Sequence, residues 1–190
     1  MEPILLIKKE DGEPAQDYSG FVIWLTGFSG SGKSTIAKLL ERRLKDSGVN
    51  ARILDGDVLR EGLNCDLGFS KEDRSENIRR AYEVAHILID SGVTVISAFI
   101  SPYRSDRERA RECVGSERFI EVHVDCPIDI CESRDPKGLY AKVRSGEISN
   151  FTGINDPYEV PEDPDVIVKT HEQSIEECVN VIIDSITSQT

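Results

Sequence analysis

Five short apolar runs divide the chain and alternate with segments of helical periodicity. The runs lie at residues 21–26, 51–55, 93–99, 119–125 and 166–169. Continuous apolar runs of this length are typical of parallel strands that are buried on both faces. Their alternation with helix-like segments predicts an α/β fold in which a parallel sheet carries helices on both faces. Ligands are then expected at the carboxyl ends of the strands.

Two segments depart from this alternation. Residues 1–19 are polar and turn-rich after a short apolar start, which predicts an N-terminal arm, so that the folded domain spans residues 20–190. Residues 135–164 are rich in glycine and proline and are long for a plain connection. Segments of this kind are usually functional, so we expect a lid or binding loop there.

Length and charge narrow the classes of function. A chain of 190 residues with 38% hydrophobic residues is expected to form one domain with a sizeable core. The net charge is −12, from 23 basic and 35 acidic side chains, which would repel a polyanion. Broad nucleic-acid binding is therefore not expected, whereas a small anionic ligand can bind where positive charge is gathered locally.

The lengths of the apolar runs and the pattern of cysteines predict the cellular compartment of the protein. No run approaches the roughly 18–20 apolar residues that cross a bilayer, and residues 4–7 are much shorter than the apolar core of a signal peptide. We therefore expect a soluble, cytoplasmic protein without membrane partners. The odd number of cysteines, without metal-ligand spacing, predicts a reducing compartment and no zinc. They are Cys65, Cys113, Cys126, Cys131 and Cys178.

The segment Gly27-Phe-Ser-Gly-Ser-Gly-Lys33-Ser34 fits the phosphate-loop pattern G-x-x-x-x-G-K-[ST]. It lies between a predicted strand and a predicted helix, where this pattern must lie to bind phosphate. The glycines allow successive backbone N–H groups to turn around a phosphate, and the helix N-terminus adds partial positive charge. Lys33 would reach the β- and γ-phosphates and Ser34 would hold Mg²⁺. The alternative is a flexible Gly/Ser turn.

Asp55-Gly56-Asp57 follows the second predicted strand. In an extended stretch, residues two apart point to the same side, so both carboxylates are expected to face the cleft. Asp57 would orient the acceptor hydroxyl or take its proton, and Asp55 would act through Mg²⁺ and its waters. The alternative is a plain turn of Asp and Gly residues.

A helix is predicted to begin at Ser70, as its N-cap, because Ser70-Lys-Glu-Asp73 has the [ST]-x-x-[DE] pattern. Arg74 and Asn77 then share one face and could grip an oxyanion or a base edge, although solvated helix polarity would also explain them. Arg60 is similarly ambiguous.

Further candidates lie at a strand end and beside glycine- or polar-rich segments. Ser101 follows the third predicted strand and could bind substrate or accept a phosphate, with no histidine nearby in sequence to activate it. Phe69 and Phe151 could stack on a purine, although core packing is the usual fate of Phe. The three histidines, His86, His123 and His171, are interpreted as structural or surface residues.

Taken together, these motifs resemble the adenylyl-sulfate (APS) kinase family from about residue 20 to residue 190. The resemblance rests on seven segments: Trp24-Leu-Thr-Gly-Phe-Ser-Gly-Ser-Gly-Lys-Ser-Thr35, Leu54-Asp-Gly-Asp57, Asn64-Cys-Asp-Leu-Gly-Phe-Ser70, Asp73-Arg-Ser-Glu-Asn-Ile-Arg79, Phe99-Ile-Ser-Pro102, Arg134-Asp-Pro-Lys-Gly-Leu-Tyr140 and Phe151-Thr-Gly-Ile154. Val58 stands where the family commonly has Asn. The resemblance implies a three-layer P-loop nucleoside triphosphate hydrolase fold. The activity it implies is transfer of the ATP γ-phosphoryl to the ribose 3′-hydroxyl of adenylyl sulfate, which gives 3′-phosphoadenylyl sulfate (PAPS) and ADP in sulfate assimilation.

The resemblance also assigns roles to residues and implies a homodimer. The resemblance implies that Gly30, Ser31, Gly32, Lys33, Ser34 and Thr35 bind ATP, to which the phosphate-loop pattern adds Gly27, and Ser34 and Asp55 are the Mg²⁺ candidates from the motifs above. Residues that would bind adenylyl sulfate are Asp57, Arg60, Phe69, Arg74, Asn77, Ile100, Ser101, Lys137, Phe151 and Thr152. Lys33, Asp57 and Ser101 are the catalytic candidates, with substrate binding favoured over a covalent step for Ser101. Phe69 and Phe151 would flank the adenine.

Two other functions fit the phosphate loop. One is a different small-molecule kinase, acting on a nucleotide or a sugar acid. The other is a nucleotide-dependent switch that binds partners. The sequence lacks the Asn-Lys-x-Asp motif that reads guanine, which disfavours a GTPase.

Overall fold

The computed structural model describes residues 20–188, so the predicted N-terminal arm lies outside the described residues. The strands are β1 (Val22–Thr26), β2 (Ala51–Asp55), β3 (Thr94–Ala98), β4 (Phe119–Asp125) and β5 (Val166–Lys169). The helices are α1 (Lys33–Asp46), α2 (Gly56–Glu61), α3 (Lys71–Asp90), α4 (Arg104–Val114), α5 (Ile128–Arg134), α6 (Leu139–Arg144) and α7 (Ile175–Ser188). A short 3₁₀ turn covers Ser116–Arg118.

All five strands pair in parallel in the order β2-β3-β1-β4-β5. The central strand β1 pairs with β3 on one side and with β4 on the other. Because a parallel sheet needs long crossovers, each connection carries at least one helix. The predicted α/β fold with a parallel sheet is confirmed, and the predicted strand bounds differ from the observed ones by at most one residue at either end.

The core lies on both faces of the sheet, as the continuous apolar runs predict. Ile23 and Leu25 of β1 pack on one face with α1 and α7, whereas Val22 and Trp24 pack on the other with α3 and α4. The four side chains are completely buried, and burying a side chain of this size contributes about 1.5–3 kcal/mol. Two helical layers therefore fix the sheet whose carboxyl edge carries the site.

Local sequence explains where α3 begins. The Ser70 hydroxyl accepts a hydrogen bond from the backbone N–H of Asp73 at 3.1 Å, which satisfies one of the free donors of the first turn. The predicted N-cap is confirmed.

The segment at residues 135–164 contains α6 and shares a small third core with the residues around α5. Cys126, Cys131, Tyr140, Val143 and Phe151 form this third cluster. The Tyr140 hydroxyl donates to the Ser29 carbonyl at 2.9 Å, so the segment packs directly against the phosphate loop.

Two other features of the described residues bear on the sequence expectations. All five cysteines are free, and no group of three His, Cys, Asp or Glu side chains within residues 20–188 is arranged to hold a metal ion. Within the same range, no helix has the length and apolar character required to cross a bilayer.

Candidate active site

The phosphate loop connects the buried end of β1 to the first turn of α1. Gly30 and Gly32 adopt positive φ angles of 77° and 101°, a region that L side chains rarely enter. A Cβ on Gly30 would lie 2.8 Å from the backbone oxygen of Cys131, which is closer than real contacts. Glycine is therefore required both by the turn and by the close approach of α5 beneath it.

Lys33 is the buried cation of this loop. Its side chain is 8% exposed, and Nζ donates to the carbonyl oxygens of Gly27 at 2.8 Å and Phe28 at 2.6 Å. Burial lowers the pKa of Lys33 to about 8, since charge is disfavoured away from water. The amine thus links two carbonyls of the loop, and a phosphate bound there could accept hydrogen bonds from Lys33 in their place.

Ser34 and Asp55 meet beside the loop. The Ser34 hydroxyl donates to Asp55 Oδ2 at 2.7 Å, and Asp55 Oδ1 accepts from the backbone N–H of Asp57 at 2.9 Å. Asp55 is the N-cap of α2, so Asp57 lies in the first helical turn. The extended geometry expected for residues 55–57 is therefore wrong, because the helix begins at Gly56. Both carboxylates nevertheless line the same cleft.

One cleft of about 1110 Å³ runs along the carboxyl edge of the sheet. Its wall includes the predicted nucleotide-loop residues Gly30, Gly32, Lys33, Ser34 and Thr35, and the predicted acceptor-site residues Asp57, Arg60, Phe69, Arg74, Asn77, Ile100, Ser101, Lys137, Phe151 and Thr152. Gly27 and Ser31 do not line it: the Gly27 carbonyl accepts from Lys33, and Ser31 is completely buried within the loop. The structure therefore gathers residues from seven sequence segments around one cavity.

Arg74 ties α3 to the segment at residues 135–164. Its Nε donates to the Phe69 carbonyl at 3.1 Å, and Nη1 donates to the Thr152 hydroxyl at 2.6 Å. Its Nη2 donates to the Asn150 carbonyl, and Asp156 lies 3.5 Å from Nε. All three guanidinium nitrogens are thus engaged by the protein, so Arg74 also acts as a brace for this wall of the cleft.

The two aromatic candidates have different surroundings. Phe69 is 60% exposed, and the Arg60 guanidinium lies 4.4 Å from its ring centroid. Phe151 is buried and packs edge-on against Tyr140 with the ring centroids 4.9 Å apart. Phe69 is an exposed ring in the wall of the cleft with guanidinium groups against it, whereas Phe151 is largely anchored in the third cluster.

Ser101 is held in a strained conformation. Its φ of 41° lies in the left-handed region, and such a residue persists only where its surroundings enforce it. Trp24 Nε1 donates to the Ser101 hydroxyl at 3.1 Å, and Arg107 Nη1 donates to the Ser101 carbonyl at 2.6 Å. Both oxygens of this 1%-exposed residue therefore have structural partners.

Lys137 bridges the mouth of the cleft. It forms an ion pair with Asp57 and so connects the segment at residues 135–164 to α2. Both side chains are about half exposed, so the pair lies at the solvent boundary of the cavity.

The adenylylsulphate kinase sequence profile matches residues 19–169, which is most of the chain. The chain belongs to the adenylyl-sulfate kinase family. It is 52% identical to the adenylyl-sulfate kinase of Clostridium kluyveri over 179 residues, a span that covers 94% of this chain and 89% of that one. This family membership confirms the resemblance described from the motifs.

Solved structures of the family agree with the fold. The Mycobacterium tuberculosis APS kinase in complex with AMPPNP and APS has a TM-score of 0.86 and 48% identity, covering 90% of this chain and 99% of that chain. A hexameric APS kinase from Thiobacillus denitrificans has a TM-score of 0.69 and 33% identity, covering 90% of this chain and 29% of that chain. The three-layer P-loop fold expected from the resemblance is confirmed.

Several cleft residues were missed by sequence reasoning. They lie at the end of α5, within residues 135–164 and after β5: Arg134, Pro136, Leu139, Glu147, Ile148, Ser149, Asn150, Thr170, Gln173, Ser174 and Ile175. Thr170 donates its hydroxyl to the Ser31 carbonyl at 2.8 Å, and Arg134 binds the Thr170 carbonyl at 2.7 Å. The signal that marks Thr170 is its place at the carboxyl end of a parallel strand, where ligands are expected.

The three histidines singled out by sequence lie away from the cavity. His86 is in α3, His123 is in β4 and His171 follows β5, and none of the three lines the cleft. Val58 is exposed on α2, so no core contact explains its side chain.

Proposed function

We propose that the chain catalyses phosphorylation of adenylyl sulfate by ATP, giving PAPS and ADP, and that the predicted residues divide into a donor site and an acceptor site. The observation that carries this division is the continuous cleft, which has the phosphate loop at one end and Asp57, Arg74 and Asn77 further along its wall. Membership of the adenylyl-sulfate kinase family supports the choice of acceptor.

At the donor site, the phosphate loop binds the β- and γ-phosphates of ATP. Backbone N–H groups of residues 30–35 and the N-terminus of α1 supply hydrogen bonds and partial positive charge. Lys33 exchanges its contacts with the Gly27 and Phe28 carbonyls for the phosphates. Charge that develops on the transferred group is then stabilised by a cation already placed there.

At the acceptor site, Asp57 orients the ribose 3′-hydroxyl or takes its proton as the oxygen attacks the γ-phosphorus. Lys137, which pairs with Asp57 across the mouth, adds positive charge and links the acceptor to the lid at residues 135–164. Closure of this lid would exclude water that could otherwise accept the phosphoryl group.

Ser34 and Asp55 fit Mg²⁺. The hydroxyl and carboxylate oxygens lie 2.7 Å apart beside the loop, and oxygen is the ligand type that Mg²⁺ prefers. Bound Mg²⁺ would neutralise phosphate charge, with the remaining ligands drawn from phosphate oxygens and water.

We also propose that the enzyme is cytoplasmic, acts in sulfate assimilation and forms a homodimer. The free cysteines support a reducing compartment. The homodimer rests on the family resemblance, and the Thiobacillus denitrificans relative is a hexamer, so sedimentation at micromolar concentration is the deciding measurement.

The decisive test of the activity is mass-spectrometric detection of PAPS formed from ATP and adenylyl sulfate with Mg²⁺. Parallel reactions contain gluconate or a nucleoside monophosphate in place of adenylyl sulfate. Formation of PAPS alone supports the proposal. Phosphorylation of gluconate or a nucleoside monophosphate, with adenylyl sulfate returned unchanged, would replace it by one of the other kinase activities. ATP hydrolysis without any acceptor would favour a switch.

The KM for ATP is expected to depend on pH through Lys33. Burial lowers the pKa of Lys33 to about 8 in the free protein, and bound phosphates raise it again because they favour the charged amine. Below about pH 8 the amine is already charged, so KM stays flat. Above it, binding must take up a proton, and KM rises by up to about tenfold per pH unit.

Initial rates from about pH 6.5 to 9.5 at saturating adenylyl sulfate measure this dependence. A terminal phosphate titrates near pH 6, so it affects only the lowest part of this range, and the rise in KM above about pH 8 is assigned to Lys33. A KM that stays constant to the upper end of this range would show that Lys33 keeps an ordinary pKa.

Ser101→Ala is expected to keep kcat within about tenfold of the wild-type value. The hydroxyl is buried and accepts from Trp24, so its loss mainly leaves Trp24 Nε1 without a partner and lowers stability by about 1–3 kcal/mol. Steady-state rates and thermal unfolding measure the two effects. Complete loss of turnover in a folded variant, together with phosphoserine at residue 101 of the wild type, would establish a covalent step instead.

A further inference from the structure

Asn64 and Asn77 form a buried pair of amides behind the acceptor end of the cleft. Asn64 is completely buried between α2 and α3, and its Nδ2 donates to Oδ1 of Asn77 at 2.9 Å. Asn77 is 6% exposed and lines the cleft. A carboxamide has one oxygen acceptor and one NH₂ donor group. With its oxygen turned towards Asn64, Asn77 has its NH₂ group left to face the cavity.

The hydrogen bonds of Asn77 support this orientation. Within residues 20–188, its side chain makes no other hydrogen bond than the one it accepts from Asn64. Arg74, one turn earlier on α3, donates to protein oxygens from all three of its nitrogens. The Asn77 NH₂ group is therefore an uncommitted donor on the face of α3 that meets the cleft.

Asn64 is well placed to fix this orientation because its backbone is anchored on both sides. Its N–H donates to the Leu59 carbonyl at 2.8 Å. Next to it, Arg80 of α3 donates to the Leu63 carbonyl at 3.0 Å and to both carboxylate oxygens of Asp66 at 2.6 and 2.8 Å. The bonds of Arg80 therefore hold the α2–α3 connection against α3 on the C-terminal and N-terminal sides of Asn64, the residue that contacts Asn77.

Stability alone does not account for an amide at position 64. The Oδ1 atom of Asn64 is buried and has no hydrogen-bond partner in the described part of the chain. An unpaired buried acceptor destabilises the folded state, whereas an apolar side chain of similar shape would avoid that cost. The part of the Asn64 side chain that makes a hydrogen bond is its NH₂ group, which donates to Asn77.

We propose that Asn64 is a positioning residue that locks the Asn77 amide so that its NH₂ group donates to an acceptor atom of adenylyl sulfate. The inference rests on the proposed function and on the binding role proposed for Asn77. It deepens both, because it assigns the polarity of the contact: the substrate supplies the lone pair and the enzyme supplies the hydrogen.

The test compares Asn64→Leu, Asn77→Ala and the double variant. Leucine has nearly the shape of asparagine and neither donates nor accepts, so the Asn77 amide is released to rotate while the site stays filled. We expect KM for adenylyl sulfate to rise about tenfold in Asn77→Ala, as one hydrogen bond is lost, and about fivefold in Asn64→Leu. The KM for ATP stays within about twofold in both.

The double variant separates positioning from support of the fold. If Asn64 acts only through Asn77, then Asn64→Leu adds nothing once Asn77 is alanine, and KM for adenylyl sulfate stays about tenfold raised. A rise of about fiftyfold, the product of the two single effects, would overturn the inference. A parallel rise in KM for ATP in Asn64→Leu would also overturn it, since it would indicate general damage to the cleft.

Thermal unfolding gives an independent readout. Asn64→Leu removes the unpaired acceptor Asn64 Oδ1 but also leaves the Asn77 amide without its partner, so the two effects offset and the unfolding temperature should stay close to that of the wild type although KM is raised. If Asn64→Leu does not fold, Asn64→Ala takes its place in the same comparison. A wild-type reaction without PAPS would reject the proposed function and this inference together. Normal wild-type turnover with an unchanged KM in the Asn64 variant would reject the inference alone.

Discussion

Lys33→Ala is expected to lower kcat by about 10²–10³-fold, the range seen when one preorganised charge-stabilising group is removed. Lys33 is buried in the phosphate loop, and its amine bridges the Gly27 and Phe28 carbonyls. Water cannot readily replace it, because the side chain is only 8% exposed. The transferred phosphoryl group would then carry charge with no fixed cation beside it. Single-turnover rates at saturating ATP and adenylyl sulfate measure the loss.

Lys38→Ala is the matched control for this variant. Lys38 lies one turn further along α1 and is exposed, so the same charge is removed from the same helix outside the cleft. It is expected to keep the wild-type kcat. An equal loss in both variants would mean that the effect comes from α1 or from net charge, and the role assigned to Lys33 would be wrong.

Much of the fold was predictable because buried parallel strands have a simple pattern. The run at residues 21–25 is apolar throughout, and β1 is completely buried on both faces. The phosphate loop was predictable for a related reason, since its function needs particular residues at fixed spacing between a strand and a helix. Local rules succeed where one short segment determines its own structure.

The same rules failed where a short segment can be either extended or helical. Residues 55–57 were expected to be extended, but Asp55 caps α2 with its own side chain, and the helix starts at the next residue. Both carboxylates reach the cleft by this different route. A strand followed by Asp-Gly-Asp fits either geometry, and tertiary packing decides between them.

Contacts between distant segments could not be predicted from one sequence. The Ser101 hydroxyl is bound by Trp24, which is 77 positions away, and nothing near Ser101 in sequence signals that partner. The pairing of Asn64 with Asn77 likewise depends on how the α2–α3 connection folds back on α3. Sequence placed these residues near the site, and only the structure shows which of their atoms are already in use.

Arg107 is the residue of the described core whose replacement should cost the most stability. It is 3% exposed, and its three nitrogens donate to Glu121 Oε1 at 2.7 Å, to the Ser101 carbonyl at 2.6 Å and to the Glu159 carbonyl at 2.7 Å. Arg107→Met would leave the buried Glu121 carboxylate without its main partner. Breaking a buried pair in this way is expected to lower the free energy of unfolding by about 3–5 kcal/mol.

Urea unfolding measures this loss as a lower midpoint at an unchanged slope. Arg42→Met is the control, because Arg42 pairs with Asp46 at 3.8 Å on the exposed face of α1, where ion pairs contribute little. Its midpoint should match that of the wild type. If Arg107→Met unfolds at the wild-type midpoint as well, then Arg111, which lies 3.8 Å from Glu121 Oε2, compensates the carboxylate.

A second substitution separates two contributions to the stability lost in Arg107→Met: the unpaired Glu121 carboxylate and the lost contacts to backbone carbonyls. The double variant Arg107→Met/Glu121→Leu removes both charges, so the penalty of an unpaired buried carboxylate disappears, and part of the stability should return. The return is expected to be incomplete, because the carbonyls of Ser101 and Glu159 still lack their donor. The remaining deficit then reports what Arg107 contributes through these two carbonyls, one of which belongs to Ser101 with its positive φ angle. Full recovery in the double variant would mean that the strained backbone at the acceptor end of the cleft is held by Trp24 and Thr26 without help from Arg107.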